Sequence, residues 1–342
     1  MKYDKAIVRW LYLGMILIFL MVIIGGITRL TQSGLSIVEW KPVTGTLPPL
    51  SEIAWQAEFD NYKLSPEFTA FNSDFELQDF KNIYWWEYLH RLLARLIGLV
   101  FMVPFIYFLV KKRFNKALLR RVAVVPILGA LQGFIGWYMV KSGLVDNPHV
   151  SHFRLALHLC TAMLLMNYLY WIILKEQAVS INNQKTASPL MYKLLKYICV
   201  LIFIQIIYGA FTAGLKAGYM YNTFPKMSGE WLPGHLFYDF SLNGIFSLIS
   251  YPATVQYTHR VLGTLVLIFS ILITVRLFRT PLLPEQKTSV LSFVGIICTQ
   301  YLLGIITLLY FVPLSVGVTH QAVAIVLLLA GQRCLFVLKG TV

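Results

Sequence analysis

The sequence predicts an all-α integral membrane protein whose eight transmembrane helices form two tandem four-helix bundles. Three observations carry this expectation. Of the 342 residues, 58% are hydrophobic and only 13% charged, whereas a soluble chain carries about a quarter charged residues. Apolar runs long enough to cross a bilayer can be drawn at 8–27, 88–110, 119–140, 153–174, 192–213, 257–278, 288–310 and 314–335. A set of landmarks also recurs in the same order in both halves of the chain.

Taken in order, the first run is preceded by Lys2, Lys5 and Arg9. The start has the look of a signal-peptide n-region, but no small-x-small cleavage site follows, so this run is expected to be an uncleaved first helix. The 28–87 segment is acidic, with nine Asp and Glu residues against four bases. Its 50–86 portion is rich in aromatic residues, including Trp55, Phe59, Tyr62, Phe80 and Tyr84-Trp85-Trp86. Short amphipathic helices lying over the bundle mouth are expected there, with the last three residues at the membrane interface. The second and third runs are joined by Lys111-Lys112-Arg113, Lys116, Arg120 and Arg121 without an acid. A polar linker, 175–191, joins the halves, and bases again flank the sixth run and the chain end. The positive-inside rule therefore places both termini and the basic loops in the cytoplasm. The net charge of +14 is thus a topology signal and gives no reason to expect nucleic acid. The absence of an Arg- and Ser-rich transit peptide favours a bacterial inner membrane.

The repeat defines the domains: 1–174 with its long outer loop 28–87, the linker 175–191, and 192–342. Gly25-Gly26-Ile27-Thr28 and Trp40-Lys41-Pro42 are matched by Gly209-Ala210-Phe211-Thr212 and Phe224-Pro225-Lys226. His90-Arg91 is matched by His259-Arg260, Gln132-x3-Gly136 by Gln300-x3-Gly304, and His158 by His320. Units of four helices share one orientation, so an axis along the membrane normal is expected to relate them.

The four repeated histidines lie near the starts of the second and fourth helices of each half, at one depth on the extracytoplasmic side. Histidines on two facing helices of a bundle can clamp one haem iron through both axial positions. The natural pairs are His90 with His158 and His259 with His320, all four as metal ligands in the neutral form. His149, His152 and His235 have no repeat counterpart and are expected to be solvated. Arg91 and Arg260 adjoin ligands and are candidates to hold haem propionates, with Arg154, Arg29 and Arg95 as further options. Snorkelling to the interface is the competing reading for any of them.

One difference between the halves bears on chemistry. Glu87 precedes His90 by three residues and shares its helix face, whereas the matching position before His259 is Gln256. An ionisable carboxyl beside one ligand pair marks the first site as reactive and the second as electron-passing or structural. An ion pair of Glu87 with Arg91 or Arg95 is the alternative. Cys160, Cys199, Cys298 and Cys334 all fall in apolar runs, so no disulfide is expected. Walker A, GxGxxG, HExxH and CxxCH motifs are absent, which removes support for nucleotide binding, zinc hydrolysis and covalent haem.

The chain resembles the haem A synthase family over nearly its whole length. The resemblance rests on GGITRLTQSGLSI (25–37), WWEYLHRLLARLIG (85–98), LQGFIGWYMVKSGL (131–144), RLALHL (154–159), GAFTAGLKAG (209–218), FPKMSGEWLP (224–233), QYTHR (256–260) and THQA (319–322). It implies oxidation of the C8 methyl group of haem O to a formyl group, giving haem A for cytochrome oxidase. By matching position it implies that Glu87, His90 and His158 form the substrate-haem site, with Glu87 as proton carrier or partner of the activated oxygen. His259 and His320 would ligate a haem b that relays electrons. The cysteine pair that some members carry in the first outer loop is missing, so this chain is similar to the subgroup without it. Haem O and membrane lipid are the implied partners, with an unidentified electron donor. Handover of so insoluble a product gives a haem O synthase or an oxidase assembly factor a place as partner, and a homo-oligomer stays open. A dihaem b-type electron carrier is the alternative function; it accounts for the histidines but not for Glu87 against Gln256. A transporter is the remaining rival, and the scarcity of mid-depth charges counts against it.

Overall fold

The computed structural model describes residues 3–39, 44–144, 148–177 and 189–339. The repeat landmark Trp40-Lys41-Pro42 and the linker positions 178–188 lie outside the described residues. The helices are α1 (Lys5–Leu30), α2 (Glu52–Lys63), α3 (Pro66–Phe71), α4 (Leu77–Val110), α5 (Lys116–Val122), α6 (Val124–Gly143) and α7 (His152–Gln177). They continue with α8 (Pro189–Gly214), α9 (Gly234–Asn243), α10 (Ser247–Ser250), α11 (Pro252–Leu277), α12 (Pro284–Leu309) and α13 (Leu314–Lys339). Among the described residues eight helical stretches are long and apolar enough to span a membrane: α1, α4, α5 with α6, α7, α8, α11, α12 and α13. The shortest have 26 residues, about 39 Å at 1.5 Å per residue, so each exceeds the ~30 Å hydrocarbon core. The chain is therefore an all-α, multi-pass membrane protein.

The break between α5 and α6 falls at Ala123, three residues before Pro126. A proline ring collides with the carbonyl four residues earlier and removes one N–H from the ladder, which ends a helix turn there. Caps set several helix starts. Ser51 Oγ accepts from Ala54 N at 3.2 Å, Ser65 Oγ from Phe68 N at 3.2 Å, and Asn115 Oδ1 from Leu118 N at 2.8 Å.

Packing divides the chain into two compact units. One is Leu13–Leu165, and the other is Met166–Val342 together with Met1–Tyr12. These units assign the first turns of α1 and the last turns of α7 differently from the sequence halves. Two hydrogen bonds within the second unit account for it: Tyr12 Oη to Gln177 Oε1 at 3.2 Å, and Gln332 Nε2 to Asn167 O at 2.9 Å.

In the Leu13–Leu165 unit, α2 and α3 are short helices within the 50–86 segment, where short helices were expected. The aromatic residues near 84–86, however, belong to α4, which starts at Leu77, eleven residues before the apolar run at 88. The cause is packing. Phe80, Tyr84 and Tyr88 fall on one face of α4 at intervals of four and join Trp55, Phe59, Tyr62 and Ile83 in a buried cluster. Phe80 is completely enclosed and stacks on Phe59 and Tyr62 at 5.2 Å each. Tyr62 is also fully buried; its hydroxyl donates to Glu67 Oε2 at 3.2 Å and accepts from Asn72 Nδ2 at 2.7 Å. Burial, reinforced by the Glu67 carboxylate, pushes its phenol well above the ordinary range.

In the other unit, Ile198, Ile202 and Ile206 of α8 are buried, as are Phe293 and Ile297 of α12 and Cys334 and Leu338 of α13. Gly331 lets α13 approach closely: a Cβ there would lie 3.0 Å from Phe293 and 3.1 Å from Cys199. The segment between α8 and α11 contains α9 and α10, which the sequence pattern did not reveal.

Replacing Phe80 by Ala should cost the outer helical module about 3–5 kcal/mol. The check is protease nicking of the 52–71 region together with a lowered melting temperature in detergent. An unchanged cleavage rate would refute the aromatic cluster as its anchor.

Candidate active site

Each repeated histidine lies on a membrane-spanning helix: His90 on α4, His158 on α7, His259 on α11 and His320 on α13. His90 and His158 belong to one packing unit, and His259 and His320 to the other, which is the grouping the expected pairs require. Each of the four residues is half-buried. Among the described residues no group of three or more His, Cys, Asp or Glu side chains gathers at metal-binding distance.

Each imidazole rests on a glycine of a neighbouring helix. A Cβ on Gly25 would lie 3.3 Å from His90 Nε2, and one on Gly136 would lie 3.0 Å from His158 Cε1. In the other unit a Cβ on Gly209 would lie 3.3 Å from His259 Cε1, and one on Gly304 would lie 3.1 Å from His320 Cε1. These are the glycines that mark the repeat in the sequence. The buried Nδ1 atoms of His158, His259 and His320 have no hydrogen-bond partner among the described residues. The matched glutamines behave differently. Gln300 Nε2 approaches His320 Nε2 at 3.5 Å, whereas Gln132 donates to the Thr161 hydroxyl. Paired imidazoles on facing helices form the donor set that an axially ligated haem iron requires, and the residues present fit that group.

Glu87 is buried and fully engaged. Its Oε1 accepts from Arg91 Nε at 3.0 Å and Nη2 at 2.6 Å, and its Oε2 from Ser36 Oγ at 2.8 Å and Ile37 N at 2.9 Å. Arg91 also donates to Ile37 O at 2.8 Å and Glu39 O at 3.3 Å. The carboxylate and guanidinium together fasten the segment that follows α1 to the side of α4. Of the two readings of Glu87, the ion pair with Arg91 is present, and both groups spend their charge on each other and on residues 36–39.

The second unit has the same latch without the anion. Gln256 Nε2 donates to Tyr221 O at 3.1 Å, and Arg260 Nη2 donates to Tyr221 O at 3.2 Å and to Thr223 O. Gln256 Oε1, Arg260 Nε and Arg260 Nη1 are buried without a hydrogen-bond partner. Arg260 lies over the Phe224 ring at 6.0 Å. Its unspent N–H groups suit a carboxylate, whereas those of Arg91 are directed at Glu87 and the loop. Arg154 lies over the Tyr138 ring at 4.4 Å.

The remaining histidines stay away from both pairs. His149 stacks on Phe71 at 5.1 Å, His152 contacts Phe153, and His235 is exposed beside Tyr238. The cysteines are free thiols. Sequence reasoning did not find Ser36, Ile37, Tyr221 or Thr223 as latch partners. Three of these contribute backbone groups, which no residue type announces.

Glu87→Ala should destabilise the protein by about 3–5 kcal/mol, because it leaves the buried Arg91 guanidinium without its anion. Ser36→Ala removes one bond to the carboxylate and should cost about 1–3 kcal/mol. Thermal unfolding in detergent and protease access to residues 36–39 measure both, and equal effects of the two changes would argue against the ion pair as the latch.

Comparison with known proteins agrees with this geometry. Residues 8–331 match the family model described as cytochrome oxidase assembly protein. A heme A synthase of Flavobacterium johnsoniae is 44% identical over 332 residues, covering 96% of each chain. One of Flavobacterium psychrophilum is 43% identical with the same coverage, and one of Wolbachia pipientis from Culex pipiens is 43% identical over 99% of each chain. The family match over residues 8–331 and the similarity along nearly the whole chain agree: the chain belongs to the cytochrome oxidase assembly protein family.

Proposed function

We propose that the chain is a haem A synthase, oxidising the C8 methyl group of haem O to a formyl group. The observation that carries this is the pair of matched histidine sites with unequal neighbours, Glu87 beside one and Gln256 beside the other, in a chain whose relatives are named heme A synthases. On this reading the half 1–174 takes substrate haem O at His90 and His158. The half 192–342 takes haem b at His259 and His320, with Arg260 directed at a propionate and 175–191 as linker. Haem b, when bound, supplies a one-electron relay.

The chain's own residues then have separable tasks. His90 and His158 orient the porphyrin, and the apolar helix faces let its farnesyl tail remain in lipid. The methyl carbon is hydroxylated twice; the two hydroxylations together remove four electrons from it and require an external oxidant of the dioxygen class. The resulting gem-diol loses water to leave the formyl group. Glu87 handles protons beside this site. Its Oε2 accepts from Ser36 Oγ and Ile37 N, so a proton carried at that oxygen displaces one of them and moves the segment they belong to. Arg91 returns the carboxyl to its anionic form by pairing with it again.

The basic loops support a topology with both termini on the cytoplasmic side of a bacterial inner membrane. An electron donor must reach the haem b half, and a haem O synthase or oxidase assembly factor is the chemically reasonable source or recipient of the porphyrin.

The test is expression in a bacterium that makes haem O but lacks its own haem A synthase. Haems extracted from the membranes and from the purified protein are then identified by chromatography and mass. Haem A or its hydroxylated precursor is expected; haem b alone, with haem O present, would favour the dihaem electron carrier. In the same assay Glu87→Gln should retain bound haem O and lower haem A formation by about 100-fold or more. Unchanged turnover would remove Glu87 from the proton path.

A further inference from the structure

We propose that Gly136, Gly209 and Gly304 are positioning residues that set the ring orientation of His158, His259 and His320. This rests on the reading that those histidines ligate haem iron. A ligand imidazole must be stopped from turning about its Cβ–Cγ bond. The usual device is a hydrogen bond from the ring nitrogen that faces away from the metal to a carbonyl, a carboxylate or water. Here the Nδ1 atom of His158 is buried with no hydrogen-bond partner among the described residues, while His259 and His320 have the backbone of Gln205 and Gln300, four residues before Gly209 and Gly304, within reach.

On the facing helix each ring meets a glycine. Cε1, the carbon between the two ring nitrogens, lies 3.0 Å from a Cβ built on Gly136, 3.1 Å from one on Gly304 and 3.3 Å from one on Gly209. Each ring thus occupies the space that a side chain on the facing helix would claim, and the missing Cβ gives it its seat. An added methyl group at these distances forces the ring to shift by a few tenths of an ångström.

The contacts are specific to the rings. The nearest atoms to Gly136 all belong to His158, those to Gly304 all belong to His320, and Gly209 has only His259 within 4 Å. Gly133 on α6 and Gly295 on α12 meet nothing within 4 Å, although each shares a helix with one of these glycines. General helix packing therefore does not explain the three positions. His90 differs, because it meets Gly25 through Nε2 rather than through Cε1.

The experiment uses the purified full-length protein carrying its haems, with Gly136→Ala, Gly209→Ala and Gly304→Ala compared against Gly133→Ala and Gly295→Ala. The readouts are the low-spin ferric resonance and midpoint potential of each haem, and its retention against apomyoglobin as acceptor. Each of the three variants should shift the resonance and potential of the haem in its own unit and weaken its retention about 10- to 100-fold. The two controls should match the unmodified protein. A second variant separates ring contact from misfolding. In a His259→Gly background supplied with free imidazole, Gly209→Ala should lose its effect, because an untethered ring can move aside. Persistence of the defect there would overturn the proposal, as would haems in all three variants indistinguishable from those in the controls. If the unmodified protein binds no haem through these histidines, the ligand assignment itself fails. That result is distinct from bound haem that does not respond to the glycines.

Discussion

The constraint on which the rest of the structure depends is the placing of paired imidazoles inside membrane-spanning helices. In a bilayer the backbone must satisfy its own hydrogen bonds, so the ligands have to be side chains on intact helices and no loop can bring them in. A ring of that size needs room between helices that would otherwise touch. Glycine on the facing helix provides it at all four positions: Gly25, Gly136, Gly209 and Gly304. The fold is in this sense built twice around the same contact, once in each packing unit. The remaining sequence fills the bundle with Ile, Leu, Phe and Met.

The second organising feature is the way each unit fastens its outer segment to the helix carrying the first ligand of its pair. On α4 and α11 the residue three before the histidine and the arginine just after it point to the same side, one turn apart. Both pairs grip the segment that follows the first helix of the half: residues 36–39 in one, 221–223 in the other. In the first unit the grip is ionic and every oxygen of Glu87 is used. In the second it is neutral, and Arg260 keeps N–H groups without partners. The same scaffold therefore supports a site beside an internally compensated ion pair and a site beside an unspent guanidinium. That difference is the asymmetry on which the proposed division of labour between the halves rests.

Much of this was legible in the chain itself. Helix number followed from apolar runs, because crossing hydrocarbon demands length and low charge. The matching positions of the histidines followed from the repeat, because equal spacing in two like units puts equivalent residues on equivalent helices. Gly136 and Gly304 stood out as landmarks, but periodicity cannot say what a missing side chain makes room for. The early start of α4 at Leu77 was hidden because its first turns are aromatic and acidic. They become helical by packing on Trp55, Phe59 and Tyr62 from a distant segment.

The sequence by itself determined the class of fold, the location of the four repeated histidines and the asymmetry of Glu87 against Gln256. Each is a matter of residue type and spacing. Only the tertiary structure decided what those residues touch. It turned Glu87 toward Arg91, Ser36 and Ile37, left Arg260 with donors unused, and seated each imidazole on a glycine. The physical reason is that these partners are backbone atoms, or the absence of a Cβ, on segments remote in the chain. Such groups are common to every residue, so only their arrangement in space gives them a role.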